Sequence, residues 1–275
     1  MTIISNLSDI VSEVILPQTK IAIGGGAMFL KPMEVVREII RQQIKDLEII
    51  TLIGDIDIDL LCGVGAIKKV QSSYVGLPMI GMALNFRKSI EKGTGLVYSE
   101  WSELSMIRAF QAGALGIPVV AVRSLLGSDL VKIRSDFQEV VIHGKKYIQV
   151  PALNPDLAIV HAYAGDQNGN IFYPTQHVLD DFSLLPARCS KVLFVTVEKI
   201  ISNQEGREIV EQGHLPMFSY LEVDFIAEAA RGAWPTGFPP VYAGDMGHLM
   251  TYSGMSRDSD TFQIYLKENV LNEEL

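Results

Sequence analysis

Cysteine is scarce in this chain: Cys62 and Cys189 are the only two in 275 residues, and they form no C-x-x-C pair. That excludes a disulfide framework or a zinc-finger type of site and fits a reducing, cytoplasmic setting. Positive charge is also short. With 23 Lys and Arg against 32 Asp and Glu, the formal charge is −9, which argues against nucleic acid or an anionic membrane as the main partner. No apolar run reaches the roughly 18 to 20 residues of a membrane span, and Met1-Thr2-Ile3-Ile4-Ser5-Asn6 is not a basic stretch followed by an apolar one. His143, His161, His177, His214 and His248 fall in no H-x-x-x-H or H-E-x-x-H pattern, and no G-x-S-x-G is present, so a zinc hydrolase and a serine-hydrolase elbow lack support. There is no internal repeat, low-complexity tract or linker. The expectation is one domain over residues 1–275, with 48% hydrophobic residues to build its core.

What is present is a strand that ends in bare backbone. Ile21-Ala22-Ile23 runs into Gly24-Gly25-Gly26, then Ala27-Met28-Phe29-Leu30-Lys31-Pro32. Pro32 suits a first helical position, and Met33, Val36, Ile40 and Ile44 follow at helical spacing. Without Cβ atoms such a turn can take positive φ and bring its N–H groups against a phosphate or a carbonyl oxygen. The spacing matches neither G-x-G-x-x-G nor a P-loop. A turn that merely lets strand and helix pack closely is the other reading.

Strand and helix patterns then alternate. Strands are expected at 47–53, 67–75, 96–98, 117–122, 147–150, 157–161 and 191–197, and helices at 7–16, 32–44, 82–92, 103–114 and 258–272, with 125–146 as a loop or hairpin excursion. This predicts an open, mainly parallel α/β sheet flanked by helices. Ligands in such sheets bind beyond the carboxyl ends of the strands. If the strands before them share one sheet, the glycine turn, Glu100 to Glu103 and Arg123-Ser124 lie on the same edge.

Asp55-Ile56-Asp57-Ile58-Asp59 carries too few convergent oxygens for a hard cation, so no metal is assigned; the acids are expected to end a strand and cap a helix. His161 precedes the turn-forming Gly165-Asp166-Gln167-Asn168-Gly169-Asn170 and is expected to hold it by a hydrogen bond. Glu103 reads either as a first-turn acid behind an N-cap Ser102 or as a catalytic carboxylate facing the glycine turn. Arg123 reads as a structural ion-pair partner or as a buried guanidinium for a substrate carboxylate.

Together these segments resemble the A subunit of the family I CoA-transferases, the glutaconate CoA-transferase type. The matching pieces include Ile23-Gly24-Gly25-Gly26 with Lys31-Pro32-Met33, Asn85-Phe86-Arg87, Glu100-Trp101-Ser102, Ala112-Gly113-Ala114-Leu115-Gly116-Ile117-Pro118 and Arg123-Ser124-Leu125-Leu126-Gly127. Later come Val195-Thr196-Val197-Glu198-Lys199 and Gly232-Ala233-Trp234-Pro235-Thr236. The resemblance implies an open α/β fold of the CoA-transferase (NagB/RpiA-like) type. It implies a partner, the B subunit, in a heterodimer or A2B2 assembly, acyl-CoA and carboxylic acids as substrates, and no tightly bound cofactor. It also implies transfer through a glutamyl-CoA intermediate whose glutamate belongs to the B subunit. Gly24, Gly25, Gly26, Lys31, Arg123 and Ser124 are then expected at the substrate. In the transferases the place matching Glu103 carries an amide. A related branch, resembling hydrolases that open a CoA-linked ring fragment in steroid degradation, keeps an acid there, which would make Glu103 a general base. A ligand-sensing domain on the same broad fold is the remaining alternative.

Overall fold

The computed structural model describes residues 2–174 and 180–271; His177 and the terminal residues Met1 and 272 onward lie outside them. In chain order, β1 (Ile3–Ile4), α1 (Leu7–Val14), β2 (Lys20–Ile23), α2 (Met33–Arg41), β3 (Leu47–Gly54), α3 (Ile56–Gly63), β4 (Ile67–Val75), α4 (Leu84–Glu91), β5 (Val97–Glu100) and α5 (Glu103–Ala114) come first. They are followed by β6 (Val119–Val122), α6 (Leu130–Ile133), β7 (Gln138–Ile142), β8 (Lys145–Pro151), β9 (Leu157–Asp166) and β10 (Ile171–Tyr173). The last elements are α7 (Asp180–Cys189), β11 (Val192–Ile201), α8 (Asn203–Glu211), β12 (Leu215–Phe218), β13 (Phe225–Glu228), α9 (Met246–Met255) and α10 (Ser259–Asn269).

Eight strands pair in parallel in the order β1-β13-β11-β9-β2-β3-β4-β5; β10 adds antiparallel to β9, and β12 antiparallel to β10. Alternation along each strand fills two cores. Ile21, Ile23 and Ile49 face one with α1, α2, α3, α9 and α10, while Ala22, Ile50 and Leu52 face the other with Met106 and Phe110 of α5. Each fully buried Ile or Leu side chain contributes roughly 1.5–3 kcal/mol, which is why the order of these strands is fixed by their apolar faces.

One expectation fails here. Strand 117–122 does not join the main sheet: β6 pairs with β8, and β8 with β7, in a separate antiparallel sheet. The 125–146 excursion is the hairpin that builds it. α5 packs on β3 and β4 and also on β6 and β8, so the small sheet is held against the large one through this helix, with Val122 the buried residue of β6.

The three acids of the Asp-x-Asp-x-Asp run also behave differently from the expectation. Asp55 stands at the N-cap position of α3 but makes no side-chain cap bond, and Asp55, Asp57 and Asp59 are all fully buried. Asp59 is met by the Tyr252 hydroxyl at 2.6 Å, the Phe86 N–H at 2.8 Å and Asn85 Nδ2 at 3.3 Å. Burial raises its pKa, and those bonds pull back against the rise. Tyr252 is itself buried, so Asp59 is the pin that fastens α9 to α3. Replacing Tyr252 by Phe leaves Asp59 short of a donor and is expected to lower stability by about 1–3 kcal/mol, read as a shift of the urea midpoint with the m value unchanged.

Candidate active site

Adjacent strands β2, β3, β4 and β5 run parallel, so their carboxyl ends form one edge. The glycine turn leaves β2 there, Asp55 follows β3, and Ser102 follows β5. Gly26 and Phe29 exchange backbone hydrogen bonds of 2.9 and 3.0 Å, which makes Gly26-Ala27-Met28-Phe29 a two-residue hairpin. Its central residues sit at φ 51° (Ala27) and 66° (Met28), the sign pattern of a type I′ turn, and Leu30 follows at φ 55°. Only Gly25 among the three glycines has positive φ, at 72°, and a Cβ there would stand 2.5 Å from the Leu30 carbonyl. Left-handed conformations at non-glycine residues cost on the order of 1–3 kcal/mol each and persist only when their surroundings over-determine them.

Those surroundings are specific. Gly237, from the loop after β13, donates its N–H to Met28 O at 2.9 Å and accepts from Leu30 N–H at 2.8 Å. A Cβ on Gly237 would fall 2.8 Å from Gly244 N. From below, Asp55 Oδ2 accepts the Met28 N–H at 3.0 Å. Lys31 then plunges into the core, fully buried, where its ammonium meets Asp57 Oδ2 at 3.0 Å, Thr51 Oγ1 at 3.2 Å and the Ile53 carbonyl at 2.6 Å. Two of its N–H groups are hydrogen-bonded, to Thr51 and to the Ile53 carbonyl, and the contact with Asp57 is an ion pair.

The glycine amides are largely occupied as well. Gly24 N–H goes to Ile159 O and Gly26 N–H to Phe29 O. Ala27 N–H, partly exposed, has no acceptor among the described residues. Across the edge, Ser102 caps α5 by accepting from Ser105 N–H at 3.3 Å. Ser124 Oγ lies 3.3 Å from Ser102 Oγ, so β6 delivers Ser124 to this edge although it belongs to the other sheet. Glu103 and Arg123 are both exposed, and among the described residues neither makes a side-chain hydrogen bond or ion pair. The guanidinium is thus open to solvent rather than buried.

His161 does not hold the turn at 165–170. Asp166 does, accepting from the N–H groups of Asn168 and Asn170. The fully buried His161 ring lies between Thr196 Oγ1 (2.9 Å) and Glu198 Oε1 (2.7 Å). Glu198 also accepts from the Tyr242 hydroxyl at 2.7 Å and the Arg231 N–H at 2.6 Å. Burial pushes the Glu198 pKa up, but its bonds to His161 and the other donors win and hold it below the usual glutamate value. This chain of bonds anchors the segment that carries Gly237. Nothing in the local sequence announced it, because its members come from β9, β11 and the loop after β13.

A sequence profile described as coenzyme A transferase matches residues 4–226. The chain belongs to the coenzyme A transferase family. It is 28% identical to the A subunit of 3-oxoadipate CoA-transferase from Pseudomonas knackmussii, over 89% of this chain and 86% of that one. It is also 27% identical to the cholesterol ring-cleaving hydrolase IpdA subunit of Rhodococcus jostii, over 95% of this chain and 89% of that one. An uncharacterized protein of Archaeoglobus fulgidus is 30% identical over 94% of this chain, which spans 57% of that longer relative. In three dimensions the chain resembles glutaconate coenzyme A-transferase from Acidaminococcus fermentans, with a TM-score of 0.89, 26% identity, and coverage of 98% of this chain and 89% of the other. The mainly parallel α/β fold of the CoA-transferases is therefore the fold of this family member.

Lys31→Met leaves Asp57 charged, buried and unpaired, and is expected to cost about 3–5 kcal/mol in a urea titration. Adding Asp57→Asn should recover part of that loss, since the orphan charge goes with it; a double variant no more stable than Lys31→Met would contradict the pairing.

Proposed function

We propose that this chain, acting as one domain, is the A subunit of a two-subunit CoA-transferase that moves coenzyme A between carboxylic acids. The proposed partner is a B subunit, in a heterodimer or A2B2 assembly, and the B subunit supplies the nucleophilic glutamate. Its carboxylate attacks the thioester carbonyl of the acyl-CoA, giving an acyl-glutamyl anhydride and CoA thiolate. The thiolate then attacks the glutamyl carbonyl, releasing the first acid and leaving a glutamyl-CoA thioester, and the acceptor acid runs the two steps in reverse. Splitting the exchange in this way replaces one hard step with easier ones. No metal and no tightly bound cofactor take part.

The observation that carries this reading is the braced hairpin at the carboxyl edge of the sheet. In it Gly24, Gly25 and Gly26 shape the turn, Lys31 fixes it from beneath, and Ala27 N–H is the amide left to meet an oxyanion. Ser124, next to Ser102, and the exposed Arg123 would receive the acid's carboxylate. Relatives that are the A subunits of transferases support the division of labour.

A second reading has its own observation. Glu103 is an exposed, unbonded carboxylate at the first position of α5, and the similarity to a ring-cleaving hydrolase subunit fits a general base that activates water against a β-keto carbonyl. The two part company on Glu103→Gln, assayed with the partner subunit on acyl-CoA with and without an acceptor acid. A transferase needs the acceptor and keeps most of its turnover in the variant. A hydrolase ignores the acceptor and loses roughly 10²–10⁴-fold, the usual worth of a general base.

A further inference from the structure

Asp55 stands directly under the hairpin and has two unlike oxygens. Oδ2 accepts the Met28 N–H at 3.0 Å, while Oδ1 is buried and has no hydrogen-bond partner among the described residues. The residue's own N–H is tied to Asp57 Oδ1 at 2.7 Å, so the main chain at Asp55 is fixed and the carboxyl cannot drift away from Met28 without breaking that bond. An apolar residue of the same size would remove the orphan Oδ1 but strand the Met28 N–H, so what the carboxylate at this place provides is an acceptor for the middle of the strained turn, kept at the cost of one unsatisfied oxygen. What it provides is a strong, charge-assisted acceptor for one amide, the one between Ala27 and the Gly237 clamp.

We propose that Asp55 is a positioning residue: its carboxylate, by accepting the Met28 N–H, holds the hairpin where Ala27 N–H can meet the substrate, and protonation of that carboxylate loosens the hold. The functional half of this rests on the acyl-CoA reading given above; the structural half does not.

The surroundings set the pH at which this happens. Burial raises the Asp55 pKa from 3.8 to about 7; Lys31, from the segment leading into α2, lowers it, Asp57 on α3 raises it, and the Met28 bond lowers it. Lys31 and Asp57 are the charged groups that act on it. A folded-state pKa above the unfolded one means that the native chain holds the extra proton between 3.8 and about 7. Asp55 therefore favours the fold most at acid pH, and less as pH rises through 7. The hold on Met28 has the opposite trend, strongest above 7. A purely structural carboxyl would change stability over this range and leave the turnover of the folded enzyme flat; this arrangement makes turnover rise with pH while the stability contribution falls.

The test uses the full chain with 15N-labelled methionine, and the assembled enzyme for turnover. The Met28 amide resonance should move with a midpoint near 7 in the wild type and stay flat in Asp55→Asn, which keeps an oxygen acceptor but no charge. In the same pH range kcat should fall about tenfold per pH unit on the acid side with KM little changed, and Asp55→Asn should be slow and free of that limb. Two results would overturn the proposal: a Met28 amide that does not titrate, or a titrating amide with identical pH profiles for wild type and Asp55→Asn. If no acyl-CoA is turned over by any form while the amide still titrates with that midpoint, the brace stands and the transferase reading is what fails.

Discussion

A buried ammonium sets the terms for this edge of the molecule. Taking Lys31 out of water costs several kcal/mol, and that cost is offset by the ion pair with Asp57, neither charge being exposed, and by hydrogen bonds to Thr51 and the Ile53 carbonyl. The partners lie on β3 and α3, so the start of α2 is fastened to the elements that follow it. Thr51 and Ile53 belong to the strand beside β2, and Asp57 to the first turn of the next helix. With both ends of the segment 24–31 fixed, one by the sheet and the other by Lys31, the residues between have little choice of path. Positive φ at Ala27, Met28 and Leu30 is the result, and glycine's freedom is needed at Gly25 alone among the first three.

The second restraint comes from the far end of the sequence. His161, Glu198 and Tyr242 form a buried relay that also takes the Arg231 N–H, and the loop so anchored presents Gly237 to both sides of the hairpin. The anchor holds because Glu198 is shared by three donors at 2.6–2.7 Å, with the His161 ring fully buried beneath it. Two independent polar networks thus meet at Met28, whose N–H is held from below and whose carbonyl is held from the side.

Local pattern carried much of this into the sequence. The alternation of β-branched runs with helical spacing pointed to the parallel sheet, and the glycine run marked the turn, because strand burial and glycine permissiveness are properties of neighbours in the chain. Long-range facts were another matter. That strand 119–122 lies outside the main sheet rests on its pairing with β8 and its packing on α5, and no window of the sequence contains that. The Asp55, Asp57 and Asp59 run looked like capping acids because a strand end followed by a helix is where capping acids occur; their burial depends on Lys31, Met28 and Tyr252, up to 193 residues away. Lys31 itself matched a family motif and gave no local sign that its charge was turned inward.

The two sides of the site differ in how much the fold has invested in them. On the hairpin side, among the described residues, most of the polar groups named above are paired, Asp57 Oδ2 by its ion pair with Lys31, while Ala27 N–H and Asp55 Oδ1 have no partner, so a change there disturbs the fold. On the other side Glu103 and Arg123 are exposed and make no side-chain hydrogen bond or ion pair among the described residues, Glu103 at a helix start that Ser102 already caps and Arg123 just past β6. Surface substitutions away from caps and cores shift stability by only about ±0.5 kcal/mol. A carboxylate or an amide at position 103 is therefore nearly equivalent to the fold, although only the carboxylate can accept a proton. The two halves of this edge are therefore under different constraints: the hairpin half is held by burial and hydrogen bonds, while the half that carries position 103 can change at little cost to the fold.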